Sequence, residues 1–88
     1  MKNNESILRV MEIIEQFLKG DYDPLSFSYD FPEKAFENYD KMSQENPKIA
    51  EYLDQTMPYI CDEYEPGMDP ADMKGKVRTV YQKVMEML

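Results

Sequence analysis

Apolar residues recur along this chain at spacings of three and four, the period of a helix buried on one face. Ile7, Val10, Met11, Ile14, Phe17 and Leu18 fall on one stripe, which predicts a helix from about Glu5 to Lys19. Asn4 stands where an N-cap is needed and Gly20 where a left-handed residue closes the end. In the segment GDYDPLSFSYDF, Asp23 and Pro24 form a cap and first-turn pair for a short helical turn near residues 24–29, with Phe27 and Phe31 tucked inward. Asp30-Phe31-Pro32-Glu33 then has the form of a capping box. It predicts a second helix over about 32–44 that buries Ala35, Phe36, Tyr39 and Met42.

Asn46-Pro47 opens a third helix, over about 47–65, whose stripe is Ile49, Leu53, Met57, Ile60 and Tyr64. Pro58 interrupts it, and a helix-interior proline predicts a kink or a restart capped by Thr56. Glu65-Pro66-Gly67 ends this helix, and Asp69-Pro70-Ala71-Asp72 starts a fourth over about 70–87, with Met73, Val77, Val80, Tyr81, Val84 and Leu88 facing inward. No alternating pattern or Asn-Gly turn competes as a strand or hairpin signal. Short connections favour antiparallel neighbours, so the expected fold is all-α: a small antiparallel four-helix bundle, residues 1–88 as one domain.

Composition narrows the chemistry. The 88 residues include no His and a single Cys, which removes an imidazole base, a zinc site of the usual Cys and His types and any intrachain disulfide. Eighteen acids against ten bases give a net charge of −8, which argues against nucleic acid or an anionic membrane as partner. The opening MKNNESILRVMEIIEQFLKG has charges throughout its apolar stretch and no leader-like core, and no run approaches a membrane span. The lone thiol suits a reducing compartment, so the expectation is a cytoplasmic protein, taken as a monomer, with no cofactor and no metal.

The charge is unevenly placed. Residues 1–20 sum to zero, 73–88 carry +3, and 21–72 hold fourteen acids with only Lys34, Lys41 and Lys48, a net of −11. Six of the seven tyrosines lie in that acidic middle. On the third helix Glu51, Asp54, Asp62 and Glu65 project away from the core stripe, with Tyr52, Tyr59 and Glu63 flanking it and Asp69 beyond the turn. Carboxylates speed association with a basic partner, and tyrosines add anchoring area at low entropic cost. These eight residues are the expected partner-binding surface. Acids opposite a core stripe are also the ordinary solvated face of a helix; the regional imbalance is the stronger signal.

Other constellations carry little. Asp21-x-Asp23 and Asp69-x-x-Asp72 lack the calcium-loop spacing and fit helix capping. Ser6, Ser26, Ser28 and Ser43 have no His to activate them, and Cys61 sits beside Asp62 and Glu63, which disfavour a thiolate. Three scattered glycines make no phosphate loop. An enzyme is not expected.

Four stretches taken in order carry a resemblance: Phe17-Leu18-Lys19-Gly20; Phe27-Ser28 followed by Phe31; Asp62-Glu63-Tyr64-Glu65-Pro66; and Lys76-Val77-Arg78 with Tyr81. Over roughly residues 15–85 the chain resembles the colicin D immunity protein-like family of small bacterial toxin-immunity proteins. The resemblance implies a cytoplasmic, four-helical inhibitor of a nuclease toxin, tRNA-cleaving in the founding case, whose carboxylates occupy the toxin's cationic cleft. It carries Asp62 and Glu65 over as toxin contacts. Gly67 stands where the family has a further acid. Two functions therefore remain open: an immunity protein that occludes a basic nuclease-type toxin domain, or an acidic helical regulatory or adaptor domain that binds a basic protein or peptide.

Overall fold

A computed structural model describes residues 4–88; Lys2, counted in the charge of the first segment, lies outside them. The order is α1 (Glu5–Lys19), α2 (Pro24–Glu45), α3 (Pro47–Glu63) and α4 (Pro70–Met87). Each helix packs against the next, and α4 returns to α1, so the four close into an all-α bundle with no strand among the described residues. Neighbours are antiparallel. The end of α2 meets the start of α1 through Glu45, and the start of α4 meets the end of α1 through Lys74, whose Nζ lies 5.9 Å from the Phe17 ring centroid.

The stripes read from the sequence form the core. Ile7, Val10, Ile14 and Phe17 of α1, Ile49, Leu53 and Met57 of α3, and Val77 and Val84 of α4 are all buried. At one end of the bundle Phe17 stacks on Phe27 with centroids 4.1 Å apart, Phe31 lies 5.3 Å further on, and Tyr22 meets Phe27 edge-on. Leu88, expected on the α4 stripe, is exposed, and Ile60, Tyr64 and Tyr81 are half-buried at its margin.

The second helix departs from expectation. It begins at Pro24, eight residues early, and runs without interruption through Pro32. Asp23 caps it by accepting from the Ser26 amide at 3.0 Å. The expected capping box at Asp30–Glu33 does not form, because the Asp30 carboxylate accepts from the Tyr22 hydroxyl. Energetics favour the long helix. An interior proline costs about 3 kcal/mol. Phe27 and Phe31 before it and Met42 after it are buried, and each phenylalanine contributes roughly 1.5–3 kcal/mol by burial.

A continuous α2 also corrects Phe36, expected in the core. At 100° per residue it lies opposite Phe27, and it is 83% exposed. Likewise α3 runs unbroken through Pro58, held by the buried series Leu53, Met57 and Cys61. Thr56 caps no restart; its hydroxyl donates to the Tyr52 carbonyl at 2.7 Å.

Helix ends are satisfied by specific partners. The Asn4 side chain does not cap α1. Glu45, from the end of α2, accepts from the Ser6 and Ile7 amides at 3.0 Å each, a cap supplied across the bundle. Asn46 and Asp69 cap α3 and α4 as expected, accepting from Ile49 and Ala71. Helix α3 stops at Glu63, two residues early, and Glu65-Pro66-Gly67-Met68 then forms a tight turn closed by the Met68 amide on the Glu65 carbonyl. Pro66 and Gly67, with Gly67 at φ +90°, occupy the central positions that a type II turn assigns to these residues.

Candidate functional site: the acidic and aromatic face of α2 and α3

The eight residues expected to bind a partner occupy two sides of α3. Glu51, Asp54 and Asp62 lie at intervals of three and eight with Pro58 between them, so they share the side of α3 that borders α2. Asp54 and Pro58 wall a groove with α2, and Tyr59 and Asp62 wall a shallower cavity beside it together with Ser28 and Pro32. Tyr59 is 69% exposed, whereas Tyr52 is half-buried against the core. Glu65 sits exposed in the turn after α3.

On the other side of α3, Glu63 and Asp69 border α4 and are already engaged. Lys76 donates to Glu63 at 2.7 Å and lies 3.5 Å from Asp72. The hydrogen bond that Lys76 donates to Glu63, with the charges of Asp72 and Glu63, raises the Lys76 pKa and keeps the ammonium charged. Asp69 is used as the α4 cap. The basic character of α4 is thus partly spent on its acidic neighbours. Among the described residues the carboxylates of Asp54, Asp62 and Glu65 have no hydrogen-bond or ion-pair partner, while Glu51 accepts from Gln55 at 3.1 Å. Three free carboxylates are the part of the expected set available to an outside cation.

Beside them is a feature the sequence reading missed. Tyr29, 69% exposed, and Phe36 lie on one side of α2 with Pro32 between them, at intervals of three and four. The groove between α2 and α3 encloses about 240 Å³. Phe31, Ala35, Phe36 and Tyr39 line it from α2, and Ala50 and Leu53 from α3. The prolines shape its chemistry. Pro32 and Pro58 have no N–H, so the carbonyls of Ser28 and Asp54 lack their usual helical donors. One wall is therefore aromatic, with the Tyr39 hydroxyl among its groups, and the other carries the Asp54 carboxylate. The signal for this was present: had Pro32 been placed inside one helix starting at Pro24, the helical period would have put Phe36 outside.

Nothing here resembles an activated nucleophile. The Cys61 thiol is buried, and burial together with the neighbouring Asp62 charge pushes its pKa up to about 12. The Tyr22 phenol is likewise pushed up to about 12 by its hydrogen bond to Asp30, its burial and the Asp30 charge. No group of His, Cys, Asp and Glu among the described residues is arranged to hold a metal ion, and no helix is long and apolar enough to cross a membrane.

The residues behind the family resemblance divide in the same way. Phe17, Phe27, Phe31 and Val77 are core, and Asp62 and Glu65 are surface. Gly67, where that family has an acid, is fixed by the positive φ of its turn. Compared with models of protein families, with curated proteins and with solved structures, the chain gives no match.

Proposed function

We propose that this chain is a non-enzymatic binding module that engages a cationic protein surface, and that it acts as a bacterial immunity protein. In this reading it neutralises a basic nuclease-type toxin domain by covering the active site with its acidic, tyrosine-bearing face. The observation that carries the reading is the cluster of free Asp54 and Asp62 carboxylates beside exposed Tyr59 and Phe36. Unpaired surface carboxylates attract a cationic partner over distance, and exposed aromatic rings provide the area that holds it once docked. A nuclease cleft suits such a surface because it is built to receive phosphates.

The self-repulsion of a region carrying −11 supports the same conclusion, since helix capping and core packing account for only some of those acids. Binding takes place in the cytoplasm, and a single copy of the chain covers the toxin. The test is to express the chain together with the product of the adjacent open reading frame. Protection of the cell from a nuclease-bearing neighbour, lost on Asp62→Lys with Glu65→Lys, is the expected result. Intact protection by the double variant removes these two residues from the interface. A partner that is a regulatory or metabolic protein with a basic segment, unharmed cells notwithstanding, replaces the immunity reading with an adaptor role.

A further inference from the structure

We infer that the groove between α2 and α3 seats an amphipathic basic helix of the partner, with apolar side chains in the groove and Lys or Arg side chains along the α3 wall. This rests on the proposal that the partner is cationic, and it identifies the element that is recognised. At about 240 Å³ the groove is smaller than the usual pocket for a drug-sized molecule, and it suits one or two large apolar side chains. Its walls differ in character. On α2, Phe36 is 83% exposed and continues the lining to the surface; on α3, Asp54 carries a free carboxylate with Glu51 and Asp62 along the same side. A helix laid between them presents leucines to one wall and cations to the other, the pairing that amphipathic helices use in grooves.

The free carboxylate on the α3 wall sharpens the choice. The Asp54 carboxylate, and the Asp54 carbonyl that Pro58 leaves without its helical donor, take donors, which Lys and Arg supply and Asp or Glu cannot. The same charge argues against a second copy of this chain as occupant. A two-fold contact would bring the same acidic wall of each copy, at −8 per chain, against the groove of the other.

The test uses three synthetic helical peptides and the full chain. The first has leucines on one face and lysines on the other; the second replaces the leucines with serine; the third replaces the lysines with glutamine. Titration is followed by backbone amide shifts and by fluorescence anisotropy. The leucine–lysine peptide is expected to shift Ala35, Phe36, Tyr39 and Leu53, and to bind about tenfold or more tightly than either relative. Phe36→Ser, at a position 83% exposed, is expected to remove the leucine advantage, so that the leucine and serine peptides bind the variant equally. Equal binding of the leucine and serine peptides overturns the groove proposal and leaves the cationic-partner reading standing. Equal binding of the lysine and glutamine peptides overturns both. A failure of all three peptides to bind, or self-association that Phe36→Ser abolishes, also overturns the groove assignment.

Discussion

Pro32 of α2 and Pro58 of α3 line the same groove from opposite sides, and both also wall the shallower cavity that holds Tyr59 and Asp62. Each proline lies inside a helix that continues through it, and each leaves one carbonyl without its helical donor. Two such prolines line one groove, beside exposed Phe36 on α2 and the free Asp54 carboxylate on α3.

Stability is expected to rise when a proline is removed. Pro58→Ala restores an N–H to the Asp54 carbonyl and a better helix former at an exposed position, so the expected gain is about 2 kcal/mol, the proline cost less the entropy of a freer unfolded chain. Thermal or urea unfolding measures it. A loss of stability would show that the proline ring itself packs, and that α3 needs it.

Two phenylalanines on α2 should behave oppositely. Phe27→Ala removes a fully buried ring stacked on Phe17 and is expected to cost about 3–5 kcal/mol. Phe36→Ala removes a ring that faces solvent and is expected to change stability by less than about 0.5 kcal/mol. Similar losses from the two would place Phe36 back in the core.

That contrast shows what could be read from residues alone. The stripes of α1, α3 and α4, the caps at Asn46 and Asp69, and the left-handed Gly20 follow from local rules and stand in the structure. Asp30-Phe31-Pro32-Glu33 satisfied a local rule too, but Tyr22 took the Asp30 carboxylate, and buried Phe31 and Met42 hold one helix on both sides of Pro32. Long-range contacts of this kind are invisible to spacing. The same holds for the α1 cap, since Glu45 lies 39 residues from Ser6. At the site, charge alone could not tell Glu63, held by Lys76, from Asp62, which is free.

Acid should weaken the α1 cap. Burial pushes the Glu45 carboxyl up, but the Ile7 and Ser6 amides, the Ser6 side chain and the Arg9 charge outweigh it and hold its pKa below the ordinary 4.5. Its contribution is therefore present above the unfolded-state value and is lost as pH falls through the lower folded one. Glu45→Gln is expected to cost about 1 kcal/mol at neutral pH, with the difference from wild type shrinking below about pH 4.5. A difference independent of pH would mean that charge plays no part in the cap.

Cys61 should be inert in the folded chain. With its pKa at about 12 and its side chain 4% exposed, it is expected to react with a disulfide reagent at neutral pH only as the chain unfolds. Reaction rates followed across a urea titration should track the unfolded fraction. Rapid labelling of the native chain would contradict the packing of α3 against its neighbours.

The central claim is that free carboxylates on the α2–α3 face bring in a cationic partner. Its most direct test is the association rate between the chain and a basic nuclease-type toxin domain that it protects against, should the adjacent open reading frame encode one, measured across a range of ionic strength for wild type and for Asp54→Lys with Asp62→Lys. The expected result is a rate that falls steeply as salt rises, and a slow rate with little salt dependence for the double variant. Rates that match between the two proteins and do not respond to salt would contradict the account.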